Sequence, residues 1–380
     1  MSLSIISFTE NGIRLSGKIK AAVEASKNER YHRNVSVYTK CSHFTEAQLK
    51  LSILYVDEAI QSWAKTQMEQ RNAILFIGAC GIAVRAIAPW VTDKLCDSPV
   101  LVMDEKGQYI IPILSGHVGG ANELARQLGE QIGAIPVITT ATDLNRKFAV
   151  DVFAQKNGLR IVNKDGIAKI SSKVLAGEKI TMSVENGHIG EKINLPEEIK
   201  MIPYPPVNPV DILVTAEDVR RIPYPLDIQV DAASEDIEGS ALIYLQPKEY
   251  VIGMGCKKGK EYEKIDQFIQ KSLEEAGIDK NQIFALASID KKKEEEGFLA
   301  WSRKQGCAFL TFSVEQLQAV EGCFHTSSFV KEQVGVDNVC ERSALCGCGL
   351  NGRLIYEKHT EDGMTIAIAK REWSVSFDEE

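Results

Sequence analysis

The run Ala73-Ile74-Leu75-Phe76-Ile77 is wholly apolar and stops at Gly78. It is too short for a buried helix and the right length for a strand covered on both faces, as parallel strands are in α/β sheets. Such a strand needs helices on both sides, so its neighbours should alternate between the helical and the extended period. They do. Residues 2–8 read as a strand, 9–12 as a turn, 13–25 as a helix, 34–39 as a strand and 55–67 as a helix. Gly78-Ala79-Cys80-Gly81 turns into a helical 82–87. Residues 99–104 and 108–114 flank Glu105-Lys106-Gly107 as a hairpin. A helix over 121–131 is stopped by Gly133, and 135–138 is the next strand. The expected class is α/β, multi-domain, beginning with a layered sheet.

A chain of 380 residues exceeds one typical core, so two or three domains are expected. The boundaries read as an N-terminal α/β domain over 1–140, a small irregular α/β middle region over 141–240, and a C-terminal α/β domain over 241–380. In the middle, 148–156 and 167–176 are helical and 159–162 is extended; from 178 to 240 short strands, turns and prolines follow. Ile202-Pro203-Tyr204-Pro205-Pro206 and Ile222-Pro223-Tyr224-Pro225 echo each other, but are too short for a repeat and suit extended edges. The acidic run 231–238 reads as a linker. In the last part, 241–245, 250–253 and 283–289 are strands and 261–276 is a helix closed by Gly277. Residues 308–312, 339–345, 353–357 and 364–369 complete the pattern, and three lysines then three glutamates over 291–296 read as a solvated helix start.

A net charge of −8 argues against a general nucleic-acid binder. The first eight residues lack the basic and long apolar stretches of a signal peptide. No window approaches the roughly 18 apolar residues of a membrane helix. Nine cysteines, an odd number spread along the chain, fit reduced thiols and a cytoplasmic location better than a disulfide framework.

Three loops are expected at carboxyl ends of strands, where open α/β sheets bind ligands: 78–81, 115–120 and 139–143. If their strands are parallel neighbours, they meet in one crevice. The richest is Ser115-Gly116-His117-Val118-Gly119-Gly120-Ala121-Asn122-Glu123. It combines glycines, an imidazole and a helix start that offers amides to an anion. His117 is the leading candidate for proton transfer, against a plain loop histidine bonded to backbone. Glu123 and Asp143 are further candidates, each with a capping role as the alternative. Gly119 and Gly120 can supply amides to an oxyanion or carboxylate. Ser115, Asn122, Thr140 and Gly81 join them as candidate substrate contacts, and Arg85 as a partner for a substrate carboxylate. Gly253-Met254-Gly255-Cys256-Lys257-Lys258-Gly259 misses the dinucleotide spacing by one residue and suits an anion cradle with Lys257 or Lys258. Cys340, Cys346 and Cys348 match no metal-binding pair and read as free thiols, so no metal site is expected.

These motifs, in this order, resemble the cobalamin-biosynthesis G proteins, the cobalt-precorrin-5A hydrolases. The likeness lies in Gly81-Ile82-Ala83-Val84-Arg85-Ala86-Ile87-Ala88-Pro89, in Leu114 through Ala125, and in Pro136-Val137-Ile138-Thr139-Thr140-Ala141-Thr142-Asp143. It continues through Ile252-Gly253-Met254-Gly255-Cys256-Lys257-Lys258-Gly259, Ala287-Ser288-Ile289-Asp290 and Thr365-Ile366-Ala367-Ile368-Ala369. Cys323-Phe324-His325-Thr326-Ser327-Ser328 lacks an Asn-Pro common before the serine, and Cys346-Gly347-Cys348 replaces a small-residue stretch. The resemblance implies hydrolysis of a δ-lactone on a cobalt-corrinoid, with release of acetaldehyde. His117 would activate water, the Gly119 and Gly120 amides would hold the oxyanion, and Glu123 or Asp143 would assist. Arg85 and Lys257 or Lys258 would pair with peripheral carboxylates. It implies no cofactor of the protein's own, since cobalt comes with the substrate. The implied partner is this small molecule; the oligomeric state is left open, with a homodimer and transient contacts with other enzymes of the pathway as candidates. A carrier of corrinoid intermediates would use the same features; a generic lactone or ester hydrolase is disfavoured by the absence of G-x-S-x-G.

Overall fold

The computed structural model describes residues 2–25, 34–42, 52–93, 97–117, 119–144, 147–190, 194–217, 241–326, 332 and 334–377, without the side chains of 142 and 143. They form two compact units, 1–147 and 148–380. The second Pro-Tyr-Pro echo and the acidic run 231–238 lie outside the described residues. No described helix is long and apolar enough to cross a membrane.

The first unit runs β1 (Leu3–Ser7), α1 (Glu10–Ala25), β2 (Val35–Thr39), β3 (Ile53–Tyr55), α2 (Ile60–Glu69), β4 (Ala73–Ile77), α3 (Cys80–Ile87), β5 (Val100–Met103), β6 (Tyr109–Leu114), α4 (Ala121–Ile132), β7 (Ile135–Pro136) and α5 (Ala141–Leu144). Its sheet has the order β3-β2-β1-β4-β5-β6-β7. β3 through β5 in that order are parallel, β6 pairs antiparallel with β5, and β7 follows β6 in parallel. β4 is central and buried throughout, as its apolar run requires. Its alternate residues serve two cores: Ala73, Leu75 and Ile77 pack with α1 and α4, and Ile74 and Phe76 with α2 and α3. The turn expected over 9–12 is instead the start of α1. Thr9 Oγ1 accepts from the Gly12 amide at 3.1 Å, capping the helix one turn earlier. Tyr55, expected to open a helix over 55–67, instead ends the edge strand β3, and the helix begins at Ile60.

The second unit holds two sheets. α6 (Val150–Lys156), β8 (Leu159–Ile161), α7 (Asp165–Leu175), β9 (Ile180–Val184), β10 (Ile199–Ile202), β11 (Val210–Val214) and β12 (Ala241–Pro247) give the order β10-β9-β11-β12-β8. Residues 241–247, read as opening the last domain, thus complete the middle sheet. Then come β13 (Tyr250–Cys256), α8 (Tyr262–Ala276), β14 (Ile283–Ile289), α9 (Glu296–Gln305), β15 (Ala308–Phe312), α10 (Val314–Gln318), α11 (Cys340–Cys348), β16 (Arg353–Glu361) and β17 (Met364–Lys370), in the order β15-β14-β13-β17-β16. α8 and α9 cover one face and α11 the other. The end of the chain returns to the middle elements. Trp373 stacks on His188 at 3.8 Å, and the Ser376 amide donates to Asn157 Oδ1 at 2.7 Å.

Candidate active site

The hairpin decides which loops meet. Val100 pairs with both Ile74 and Leu114, so the carboxyl end of β6 lies where β4 and β5 begin. Gly78, at the carboxyl end of β4, donates instead to the Met103 carbonyl at 2.9 Å. The loops after β6 and β7 therefore share one edge of the sheet, and the 78–81 loop leaves from the opposite edge. The expected meeting of three loops is corrected to a meeting of two, because the chain reverses after β5. Gly81 is an exposed first-turn residue of α3, and the exposed Arg85 donates from Nη1 to its carbonyl at 3.1 Å.

The 115–120 loop closes on itself. Carbonyls of Ser115, Gly116 and His117 accept from the amides of Ala121, Asn122 and Gly120 at 3.1, 3.0 and 2.9 Å. The Gly120 amide is thus committed to a turn, which corrects its expected role as an anion donor. Gly119 is needed because a Cβ there would collide with Ser115; at Gly116 a Cβ would crowd the Asn122 amide group. Gly120 has open space but a φ of 82°, which glycine adopts without steric cost. These glycines fit the loop to its own chain.

Ser115 carries the cost of that closure. Its φ is 53°, a left-handed conformation for a residue with a Cβ, worth about 1–3 kcal/mol of strain. Its Oγ is buried without a hydrogen-bond partner among the described residues, a further penalty of about 1–3 kcal/mol. This strain sits in a strand-to-helix turn that also carries the half-buried His117.

Asn122 is 3% exposed and donates from Nδ2 to Thr140 Oγ1 at 3.1 Å, tying the two loops. Glu123 faces out: its Oε1 accepts from Gln127 Nε2 at 2.9 Å, and Arg126 Nη1 lies 3.6 Å from its Oε2. The capping alternative for Glu123 does not hold, because the Gly120 amide donates to His117. Asp143 lies in the single turn of α5, and its side chain is outside the described residues.

In the second unit the turn after β13 takes a carboxylate of the chain itself, through two amides and Lys292 rather than through the expected Lys257 or Lys258. The Gly259 and Lys260 amides donate to Glu295 Oε1 at 2.7 and 3.2 Å, and Lys292 Nζ lies 2.7 Å from Oε2. Burial pushes the Glu295 carboxyl up, but the Lys292 bond and these amides outweigh it and hold it below the ordinary range. The Lys292 and Glu295 side chains are 17% and 5% exposed, so this part of the 291–296 block is not the solvated surface its composition suggested. Gly253 is needed by packing, since a Cβ there would strike the Cys340 carbonyl as α11 crosses β13. Lys257 is exposed and lays its stem over Gly363, and Lys258 is exposed. No metal-binding cluster exists among the described residues, and the described cysteines are free thiols. Nothing in the sequence marks Glu341, whose carboxylate is buried against His325, because its setting between Asp337-Asn338 and Arg342 reads as an ordinary polar helix start.

Comparison with known proteins follows the same divisions. Residues 62–143 match the model of the cobalamin synthesis G N-terminal region, 148–221 that of the cobalamin biosynthesis central region, and 250–369 that of the cobalamin synthesis G C-terminus. A cobalt-precorrin-5A hydrolase of Salmonella typhimurium is 32% identical over 314 residues, covering 82% of this chain and 86% of the relative. A cobalt-precorrin-5A hydrolase of Priestia megaterium is 28% identical over 364 residues, covering 92% of each. With its regions matched in order and a relative above 30% identity along most of its length, the chain belongs to the cobalamin synthesis G family.

Proposed function

We infer that this chain is a cobalt-precorrin-5A hydrolase of anaerobic cobalamin biosynthesis. The observation that carries the reading is its similarity to two relatives of that name over 86% and 92% of their lengths. The strained turn around Ser115 and His117 supports it by supplying a place for the chemistry. Water adds to the lactone carbonyl while a base takes its proton. The tetrahedral oxyanion collapses, the ring C–O bond breaks, and the freed oxygen takes up the proton. Loss of the new hydroxyl proton then lets a carbon–carbon bond break. Acetaldehyde leaves, and the electron pair passes into the macrocycle, which is protonated to give cobalt-precorrin-5B. In this reading His117 moves the protons, with Glu123 and Asp143 as candidate assistants. Asn122 and Thr140 position the loops, Ser115 and Gly119 contact the lactone end, and Arg85 pairs with a peripheral carboxylate. Cobalt enters as part of the substrate.

The test is anaerobic incubation with cobalt-precorrin-5A and measurement of acetaldehyde. The wild-type chain should release one equivalent per substrate and His117→Ala far less. Stoichiometric binding without acetaldehyde would replace the hydrolase with a carrier. Wild-type release by a folded His117→Ala chain would remove His117 from the mechanism.

A further inference from the structure

The second unit contains a histidine backed by a buried glutamate. His325 Nδ1 lies 2.9 Å from Glu341 Oε1, and the His325 amide donates to Oε2 at 3.0 Å. The Lys358 amide donates to Oε1 at 2.9 Å, and Asn338 Nδ2 also donates to Oε2. Asn338 Oδ1 in turn accepts from the Glu341 amide at 2.9 Å. The Glu341 side chain is 1% exposed, whereas that of His325 is 58% exposed. Both Glu341 oxygens already take N–H donors, so the carboxylate accepts from Nδ1 as well, and Nε2 is the ring nitrogen left over. A carboxylate bonded to the other ring nitrogen in this way fixes the tautomer of metal-binding histidines and raises their basicity.

The dyad cannot hold a free ion. Among the described residues the other acid paired with the ring is Glu357, 3.7 Å from Nε2, and no cluster of three ligating side chains occurs. A metal that arrives with four equatorial ligands needs only one more. Lys358 Nζ, 3.5 Å from the His325 carbonyl, adds a nearby cation for a carboxylate on the rim of such a macrocycle. Glu357 is 71% exposed and can turn into solvent.

We propose that His325 Nε2 is an axial ligand to the cobalt of the corrinoid substrate, oriented by Glu341. This rests on the hydrolase reading for the identity of the ligand. Binding exchanges an axial water for Nε2 and transfers no electron. The probe is cob(II)inamide, which carries no nucleotide base, mixed anaerobically with the full chain and read by electron paramagnetic resonance. Wild type should split each resolved cobalt line into a nitrogen triplet. His325→Gly should lose the triplet and regain it with added imidazole, while His117→Ala keeps it and Glu341→Gln weakens probe binding several-fold. Absence of a triplet from wild type, its persistence in His325→Gly, or elution of the probe unbound would overturn the assignment. Acetaldehyde release without a triplet overturns the ligation alone; a triplet without acetaldehyde supports the ligation and sinks the hydrolase reading.

Discussion

Asn122 Nδ2 donates to Thr140 Oγ1 over 3.1 Å, and this bond joins the loop after β6 to the loop after β7. Asn122 is 3% exposed, so its amide group has little water to fall back on. Asn122→Ala should cost about 2 kcal/mol of stability, the penalty for emptying a buried polar site. Thr140→Val keeps the shape and removes only the acceptor, costing about 1 kcal/mol. Both should lower acetaldehyde release by more than their stability loss explains, because the two loops lose their register. Urea unfolding beside turnover measurements checks this; unchanged turnover in both variants would separate the bond from function.

Gly119→Ala is a sharper probe of the closed loop. A Cβ at 119 would collide with the Cβ and carbonyl oxygen of Ser115, whose backbone is already at a φ of 53°. The loop must open, at about 1–3 kcal/mol. The expected result is a folded chain with turnover reduced at least tenfold. Gly120→Ala meets no neighbour and suffers only from its φ of 82°, so it should lose about 1 kcal/mol and most of its activity should survive. Equal damage from the two substitutions would contradict this account.

The middle sheet contains a carboxylate whose role appears in acid. Asp211 Oδ1 lies 2.6 Å from Lys173 Nζ, and Oδ2 accepts from Thr181 N and Oγ1 at 2.8 and 2.9 Å. Burial raises its pKa, but the Lys173 and Thr181 bonds outweigh that and leave it below 3.8. A depressed folded pKa means that the stabilisation is complete above the unfolded value and is lost as pH falls through the folded value. Asp211→Asn should therefore be less stable than wild type by about 2 kcal/mol at pH 7. The gap should close below about pH 4. Thermal melts of both chains from pH 7 to pH 3 would show it; a gap independent of pH would mean that packing, not charge, is lost.

The layers and the hairpin were legible because they depend on local pattern: the apolar run 73–77 can only be covered on both faces, and Glu105-Lys106-Gly107 can only be a turn. Which loops share an edge was not legible, since it follows from the pairing of Val100 with Leu114, a relation between strands rather than within one. The glycines of 115–120 were visible, but not their purpose. Positive φ at Ser115 and the clash awaiting a Cβ at Gly119 arise only when the loop closes. Glu295 was hidden for a similar reason. Its charge block looks like surface, and the amides that draw it inward lie about 36 residues away.

That carboxylate gives the last prediction. Glu295 Oε1 takes two amides, from Gly259 and Lys260, while Oε2 takes Lys292 Nζ. Glutamine has one acceptor oxygen, so Glu295→Gln must turn its NH2 group toward either the amides or the ammonium. One set of donors then faces a donor, and Lys292, only 17% exposed, loses its counter-charge. The cost should be about 3 kcal/mol. Lys292→Met removes the stranded charge, so the double variant should lose less than the sum of the two single variants. The effect is also local. In Glu295→Gln the amides of Gly259 and Lys260 should exchange with deuterium much faster than those of β13, because the turn after β13 depends on this one side chain. Slow exchange at both amides in the variant would show that the turn holds without it.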